Sequence, residues 1–132
     1  MNMRFISRPV HAVLDYLWGL VAIASPWLFG FAPVTAARNV ILSLGIVVLA
    51  MSMLTNYEGG IFKKIAMSTH LWGDLFIGIF LAASPWLLFF NDEVYFPHVV
   101  LGLLAIAASL LTVSTSQVRR HRPIDFVEGN LW

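Results

Sequence analysis

Cysteine is absent from the 132-residue chain, and charged residues make up only 11% of it. The first absence excludes disulfide bonds and thiolate metal sites. The second argues against a soluble domain, in which about a quarter of the residues are charged. Because 59% of the residues are hydrophobic and 14% are aromatic, the composition also excludes a disordered chain. The net charge of +1 gives no indication of a nucleic-acid partner.

The sequence motifs of soluble enzymes are missing as well. There is no glycine-rich phosphate loop, no C-x-x-C, no H-E-x-x-H and no nucleophile elbow. We therefore expect neither enzymatic activity nor a cofactor.

Four apolar runs separated by polar breaks dominate the chain, and they cover about residues 11–31, 39–54, 69–90 and 98–113. Each can cross a hydrocarbon core of about 30 Å, the second and fourth with help from flanking residues. The runs do not alternate as the strands of a membrane β-barrel do, so helices are expected. Asp15 inside the first run, and Pro26 close behind the small-residue site Ala22-Ile23-Ala24, argue against a cleaved signal peptide. The sequence predicts an all-α, integral membrane four-helix bundle.

The basic residues predict the orientation of this bundle. Seven of the eight fall in segments that share one side of an even-numbered bundle: Arg4, Arg8, Lys63, Lys64, Arg119, Arg120 and Arg122. Since cytoplasmic loops carry an excess of Lys and Arg, both termini are expected in the cytoplasm.

An internal repeat organises the four runs. A shift of 59 residues aligns the chain with itself without a gap. The shift superposes His11 on His70, Asp15 on Asp74, and Ser25-Pro26-Trp27 on Ser84-Pro85-Trp86. We predict two tandem helical hairpins, residues 1–59 and 60–118, followed by a basic cytoplasmic tail at 119–132. Because each hairpin has two spans, the halves have parallel topology about a pseudo-twofold axis along the membrane normal.

Two copies of H-x-x-x-D, each followed by A-S-P-W near the far end of its helix, resemble the SPW repeat family of small bacterial and archaeal membrane proteins. The resemblance covers His11 to about Ser116. It implies a two-repeat, four-helix protein of a prokaryotic inner membrane, and it brings no established activity with it.

The repeated ionisable residues are the candidate functional site. His11 and Asp15 lie one helical turn apart near the inner end of the first span, and His70 and Asp74 repeat this arrangement in the third. Ionisable groups inside a span are costly unless they are paired. Three hypotheses stay open: structural hydrogen-bonding pairs, a proton relay or substrate site of a small transporter, and a metal site of two histidines and two carboxylates.

The Ser-Pro-Trp motifs are predicted to shape and anchor the outer ends of their helices. Proline kinks or terminates a helix because it collides with the carbonyl four residues earlier, which is Ala22 for Pro26. A serine hydroxyl can strengthen the bend, and Trp27 suits the headgroup belt. The alternative is that the two motifs act as hinges or as the mouth of a cavity, with the first and third helices as the central pair.

The sequence favours a structural or assembly role in the membrane as a homo-oligomer or an accessory subunit. Transport is the second hypothesis, and a membrane-embedded metal site is the third. Small residues in the fourth span provide a packing face: Gly102, Ala105, Ser109, Thr112 and Ser116.

Overall fold

The structure, a computed structural model that describes residues 3–114, contains four helices. They are α1 (Arg8–Leu28), α2 (Thr35–Leu54), α3 (Met67–Leu87) and α4 (Phe96–Leu111). The predicted all-α four-helix bundle is confirmed. The predicted tail at 119–132 and Ser116 lie outside the described residues.

The helices form two close pairs, α1 with α2 and α3 with α4, which pack against each other more loosely through α2–α3 and α1–α4. This order around the bundle places α1 and α3 on a diagonal. Polar side chains from these two helices meet at the end of the bundle where both helices begin.

Glycine permits the close approach within each pair. A Cβ on Gly19 would lie 2.5 Å from a methyl carbon of Leu49, and one on Gly102 would lie 2.6 Å from the carbonyl oxygen of Gly78. Helices packed on small residues in this way are typical of membrane bundles. Each hairpin is thus a tightly packed unit, and the looser seams run between the hairpins.

The distribution of side chains is that of a membrane protein. The α2 and α3 helices are long and apolar enough to span a bilayer, whereas α4 has 16 residues and covers about 24 Å. Large apolar side chains such as Leu17, Phe76 and Leu103 are exposed on the outside. The fully buried residues include histidines, serines and threonines. The protein therefore associates with the membrane.

The two hairpins are joined by backbone pairing at one end of the bundle. Ile6 pairs with Thr112, and Thr55 pairs with Ile65, so the segment that leads into each odd-numbered helix is held against the end of an even-numbered one. The basic residues Arg8 and Lys64 belong to this same end. It is the end that holds the repeated histidines and aspartates.

Candidate metal centre

All four repeated ionisable residues meet at one point in the bundle. One ligand atom from each of His11, Asp15, His70 and Asp74 lies within 4.8 Å of the others. Both histidines are fully buried, and the two aspartates are 5% and 4% exposed. Within each helix the four-residue spacing aligns the pair on one face, and the diagonal placement of α1 and α3 turns the two faces toward each other. The predicted pairs therefore form a single cluster.

Two threonines hold the outer nitrogens of the imidazole rings. His11 Nδ1 lies 2.8 Å from Thr112 Oγ1, and His70 Nδ1 lies 2.6 Å from Thr55 Oγ1. Each threonine donates its own hydroxyl hydrogen to the carbonyl four residues earlier in its helix, at 2.6 and 2.7 Å. When each hydroxyl donates to its carbonyl, its oxygen is an acceptor for Nδ1–H, which leaves Nε2 of the same ring able to bind a cation.

The inner nitrogens of both rings face carboxylate oxygens. His11 Nε2 lies 3.2 Å from Asp15 Oδ1 and 3.1 Å from Asp74 Oδ2. His70 Nε2 lies 3.0 Å from Asp15 Oδ2 and 3.1 Å from Asp74 Oδ2. The Nε2 of His70 is nevertheless buried without a hydrogen bond, because its N–H direction is aligned with neither oxygen. One of the two inner nitrogens is thus directed into the cluster without a partner.

The two carboxylates have different surroundings. Asp15 Oδ2 accepts hydrogen bonds from the hydroxyls of Ser52 at 3.3 Å and Tyr57 at 3.2 Å. Burial raises the pKa of the Tyr57 hydroxyl well above its usual range, so it remains a donor. Asp74 accepts from neither hydroxyl, and its Oδ2 faces the two histidines instead. The pseudo-twofold arrangement is therefore asymmetric at the carboxylates.

This donor set suits a divalent transition-metal ion. Two imidazoles with Nδ1–H bonded outward present Nε2 as ligands, and two carboxylates complete four positions. Neighbouring ligand atoms of a tetrahedral site are about 3.3–3.6 Å apart for bonds of about 2.0–2.2 Å. The nitrogen–oxygen separations of 3.0–3.2 Å here need to widen by only a few tenths of an ångström.

The Ser-Pro-Trp motifs lie far from this cluster and end their helices. Ser25 donates its hydroxyl to the carbonyl oxygen of Ala22 at 2.7 Å, which is the acceptor that Pro26 leaves without a backbone donor. Ser84 does the same for Leu81 at 2.7 Å. The α1 and α3 helices end two residues beyond each proline. Trp27 is 63% exposed, as expected of an anchor at the interface.

The predicted packing face of α4 is used inside the chain. Gly102, Ala105, Ser109 and Thr112 are all buried. Ser109 donates to the carbonyl oxygen of Leu71 at 2.6 Å, so the face contacts α3. These residues therefore do not form a free surface for a second subunit.

Sequence reasoning missed Ser52, Thr55 and Tyr57 as members of the site. The signal for two of them was present, because Gly45-x6-Ser52-x2-Thr55 repeats as Gly102-x6-Ser109-x2-Thr112. This repeat has an offset of 57 residues, whereas the first helices have an offset of 59. The gapless alignment therefore does not extend to the second helix of each hairpin, because Gly102 follows His70 by two residues fewer than Gly45 follows His11.

Comparison with known families agrees with the geometry. The sequence model described as the SPW repeat domain matches residues 9–112. The chain belongs to the SPW repeat family. The match covers α1 from its second residue and the other three helices of this SPW repeat protein whole, and it ends at Thr112, which is the partner of His11. No curated protein and no solved structure matches the chain.

Proposed function

We propose that this SPW repeat protein binds one divalent transition-metal ion, with His11, Asp15, His70 and Asp74 as its ligands. The observation that carries the proposal is the convergence of their ligand atoms within 4.8 Å. The site would lie at the end of the bundle that the basic residues predict to be cytoplasmic.

Charge balance supports a bound cation. Two carboxylates in a buried, membrane-embedded cluster need two positive charges, because an uncompensated charge inside a span is costly. One divalent ion supplies both, and so do two protons on the Nε2 atoms. The Nε2 of His70 favours the metal ion, because it is buried beside both carboxylates without a hydrogen-bond partner, where a metal ligand would lie.

Ligand chemistry narrows the choice of ion. Imidazole nitrogen suits Zn²⁺, Fe²⁺ and other first-row metals, whereas Ca²⁺ and Mg²⁺ prefer sites made of oxygen ligands alone. We therefore expect Zn²⁺, Fe²⁺ or Mn²⁺ in the site.

The test is metal stoichiometry on protein purified in mild detergent, stripped with a chelator and then titrated with Zn²⁺. We expect one ion per chain by elemental analysis, with a higher unfolding temperature in the loaded state, since a ligand that binds only the folded state stabilises it. The variant His70→Asn should lose the ion.

A matched control is His98→Asn. His98 is a third fully buried histidine, but it lies at the other end of the bundle between Phe31 and Phe90, and its Nε2 contacts the carbonyl oxygen of Ala37 at 2.9 Å. This variant should still bind one ion. The absence of saturable Zn²⁺, Fe²⁺ and Mn²⁺ binding in the wild type would overturn the proposal and leave a proton-neutralised packing cluster.

The transport and assembly roles remain predictions. A transporter needs a polar path from the His–Asp level to the Ser-Pro-Trp level. In the described bundle the outer half is instead filled by an apolar cluster that includes Ala22, Ile41, Leu81 and Leu101. An assembly role would have to use a surface other than the α4 face, which is buried within the chain.

A further inference from the structure

A cavity of about 230 Å³ adjoins the proposed metal site between α1 and α4. Its wall is mostly apolar, with Asp15 and Asp74 as its acidic residues. The apolar part of the lining includes Leu14, Trp18, Leu104 and Ala107. The carboxylates of the site therefore border a space that can hold a small molecule.

The cavity opens toward the outside of the bundle. Leu14 and Leu104, which line it, are 39% and 55% exposed and belong to the outer apolar surface. The α1–α4 seam is one of the looser contacts between the hairpins. In a membrane this surface faces lipid, so the ligand class is a molecule that dissolves in the bilayer.

The volume of the cavity and the side chains of its wall narrow the class of ligand further. A dry apolar cavity of about 150 Å³ in another protein binds benzene, so about 230 Å³ is sufficient for a single substituted ring. The indole of Trp18 offers a π surface, while its N–H already donates to the carbonyl oxygen of Leu101 at 2.9 Å.

The aspartates in the wall determine which polar group a ligand of this cavity can carry. Asp74 Oδ2 faces both histidines, which leaves Oδ1 able to accept one more hydrogen bond. A neutral hydroxyl donates one such bond without adding charge to the apolar wall. We infer that this cavity binds a membrane-soluble, single-ring aromatic molecule with one hydroxyl group, such as a phenol, whose hydroxyl donates to Asp74. The inference rests on the carboxylates of the proposed metal site but not on the ion itself.

The test uses 4-fluorophenol and fluorobenzene as probes, followed by ¹⁹F NMR, with the full chain in lipid nanodiscs. We expect saturable binding of 4-fluorophenol that is about tenfold tighter than that of fluorobenzene, because only the phenol makes a hydrogen bond to a charged group. Empty nanodiscs provide the correction for partition into lipid.

Two variants, each with an alanine replaced by phenylalanine, test whether the probe binds in the cavity. Ala107→Phe fills the cavity and should weaken 4-fluorophenol binding at least about tenfold, while Ala36→Phe on an exposed position of α2 should leave it unchanged. Equal binding of both probes, no saturable binding in the wild type because lipid tails fill the space, or unchanged binding in Ala107→Phe would each overturn the inference.

Metal content is measured on the same nanodiscs, so the two proposals can fail separately. Bound Zn²⁺ without phenol binding would contradict this inference alone. Phenol binding without uptake of any metal would contradict the proposed function alone.

Discussion

At the scale of single residues, two threonines orient the imidazole rings of the site. The hydroxyl oxygens of Thr55 and Thr112 lie against Nδ1 of His70 and His11, and each hydroxyl also bonds its own helix carbonyl. Such a partner fixes the tautomer and the orientation of an imidazole. The threonines therefore make the inner Nε2 atoms available to a cation although they do not touch it.

Replacing Thr55 with valine should test this positioning role. Thr55→Val keeps the shape of the side chain but removes the acceptor, so His70 loses the hydrogen bond that orients its ring. We expect the affinity of the stripped protein for Zn²⁺ to fall about 10–100-fold, measured by competition with a chelating dye. The exposed neighbour Thr69→Val serves as the control and should bind as tightly as the wild type. If both variants bind alike, the hydroxyl does not position the ring.

The ionisable members of the site are visible in the sequence, but their polar partners are not. The spacing of His11 and Asp15 on one helical face places them together, and the repeat indicates a second pair. The hydrogen bond from His11 to Thr112 joins residues 101 positions apart, and nothing local in the sequence encodes it. Thr55 and Thr112 are 57 residues apart, so the gapless alignment at an offset of 59 does not pair them.

At the scale of helices, the Ser-Pro pair resolves a backbone hydrogen-bonding problem. Pro26 cannot donate to the carbonyl of Ala22, and an unsatisfied carbonyl in a membrane is costly. The hydroxyl of Ser25 takes the place of the missing N–H. The helix therefore continues through the proline and ends two residues later, a detail that the predicted boundary of residue 31 missed.

Removing the serine should matter only while the proline is present. Ser25→Ala leaves the Ala22 carbonyl without a donor and should lower the free energy of unfolding by about 1–3 kcal/mol, measured by SDS titration of detergent-solubilised protein. In the Pro26→Ala background a backbone N–H returns at position 26 and serves that carbonyl. The same Ser25→Ala change should therefore lower the free energy of unfolding much less in that background. An equal decrease in both backgrounds would contradict this account of the motif.

The number and type of helices could be predicted because a hydrocarbon core leaves few alternatives for an apolar chain. Their arrangement could not be predicted, because lipid-facing and helix-facing sides are both apolar and give little periodic contrast. The buried positions of α2, for example, are Ala37, Ile41, Gly45, Val48 and Ser52. Only Ser52 among them has a polar side chain that distinguishes the inward face.

At the scale of the whole molecule, the two hairpins place their ionisable pairs at the same depth. The α1 and α3 helices begin at the same end of the bundle, next to Arg8 and Lys64. The Ser-Pro-Trp motifs and Asp92 belong to the opposite end. Positively charged loops at one end predict that this end faces the cytoplasm.

Cysteine labelling can test the orientation directly because the chain has no native cysteine. Lys64→Cys and Asp92→Cys introduce exposed thiols at opposite ends of the bundle. With a membrane-impermeant maleimide we expect Asp92→Cys to react in intact cells and Lys64→Cys to react only after permeabilisation. The reverse pattern would invert the topology, and reaction of both thiols from outside would contradict a spanning bundle.

The shared site can form only if every helix has been inserted across the membrane in the correct direction. If α2 failed to cross the bilayer, α3 would start from the opposite face, and the second His–Asp pair would lie about 30 Å from the first. Each half would then bury ionisable groups without their partners in the other half, which destabilises a span. A wrongly inserted chain would lack the contact between the two His–Asp pairs. Proteases would therefore degrade that chain in preference to the correctly inserted one. The contact between the two His–Asp pairs is therefore expected to stabilise the correctly inserted chain over a wrongly inserted one, whether or not an ion is bound.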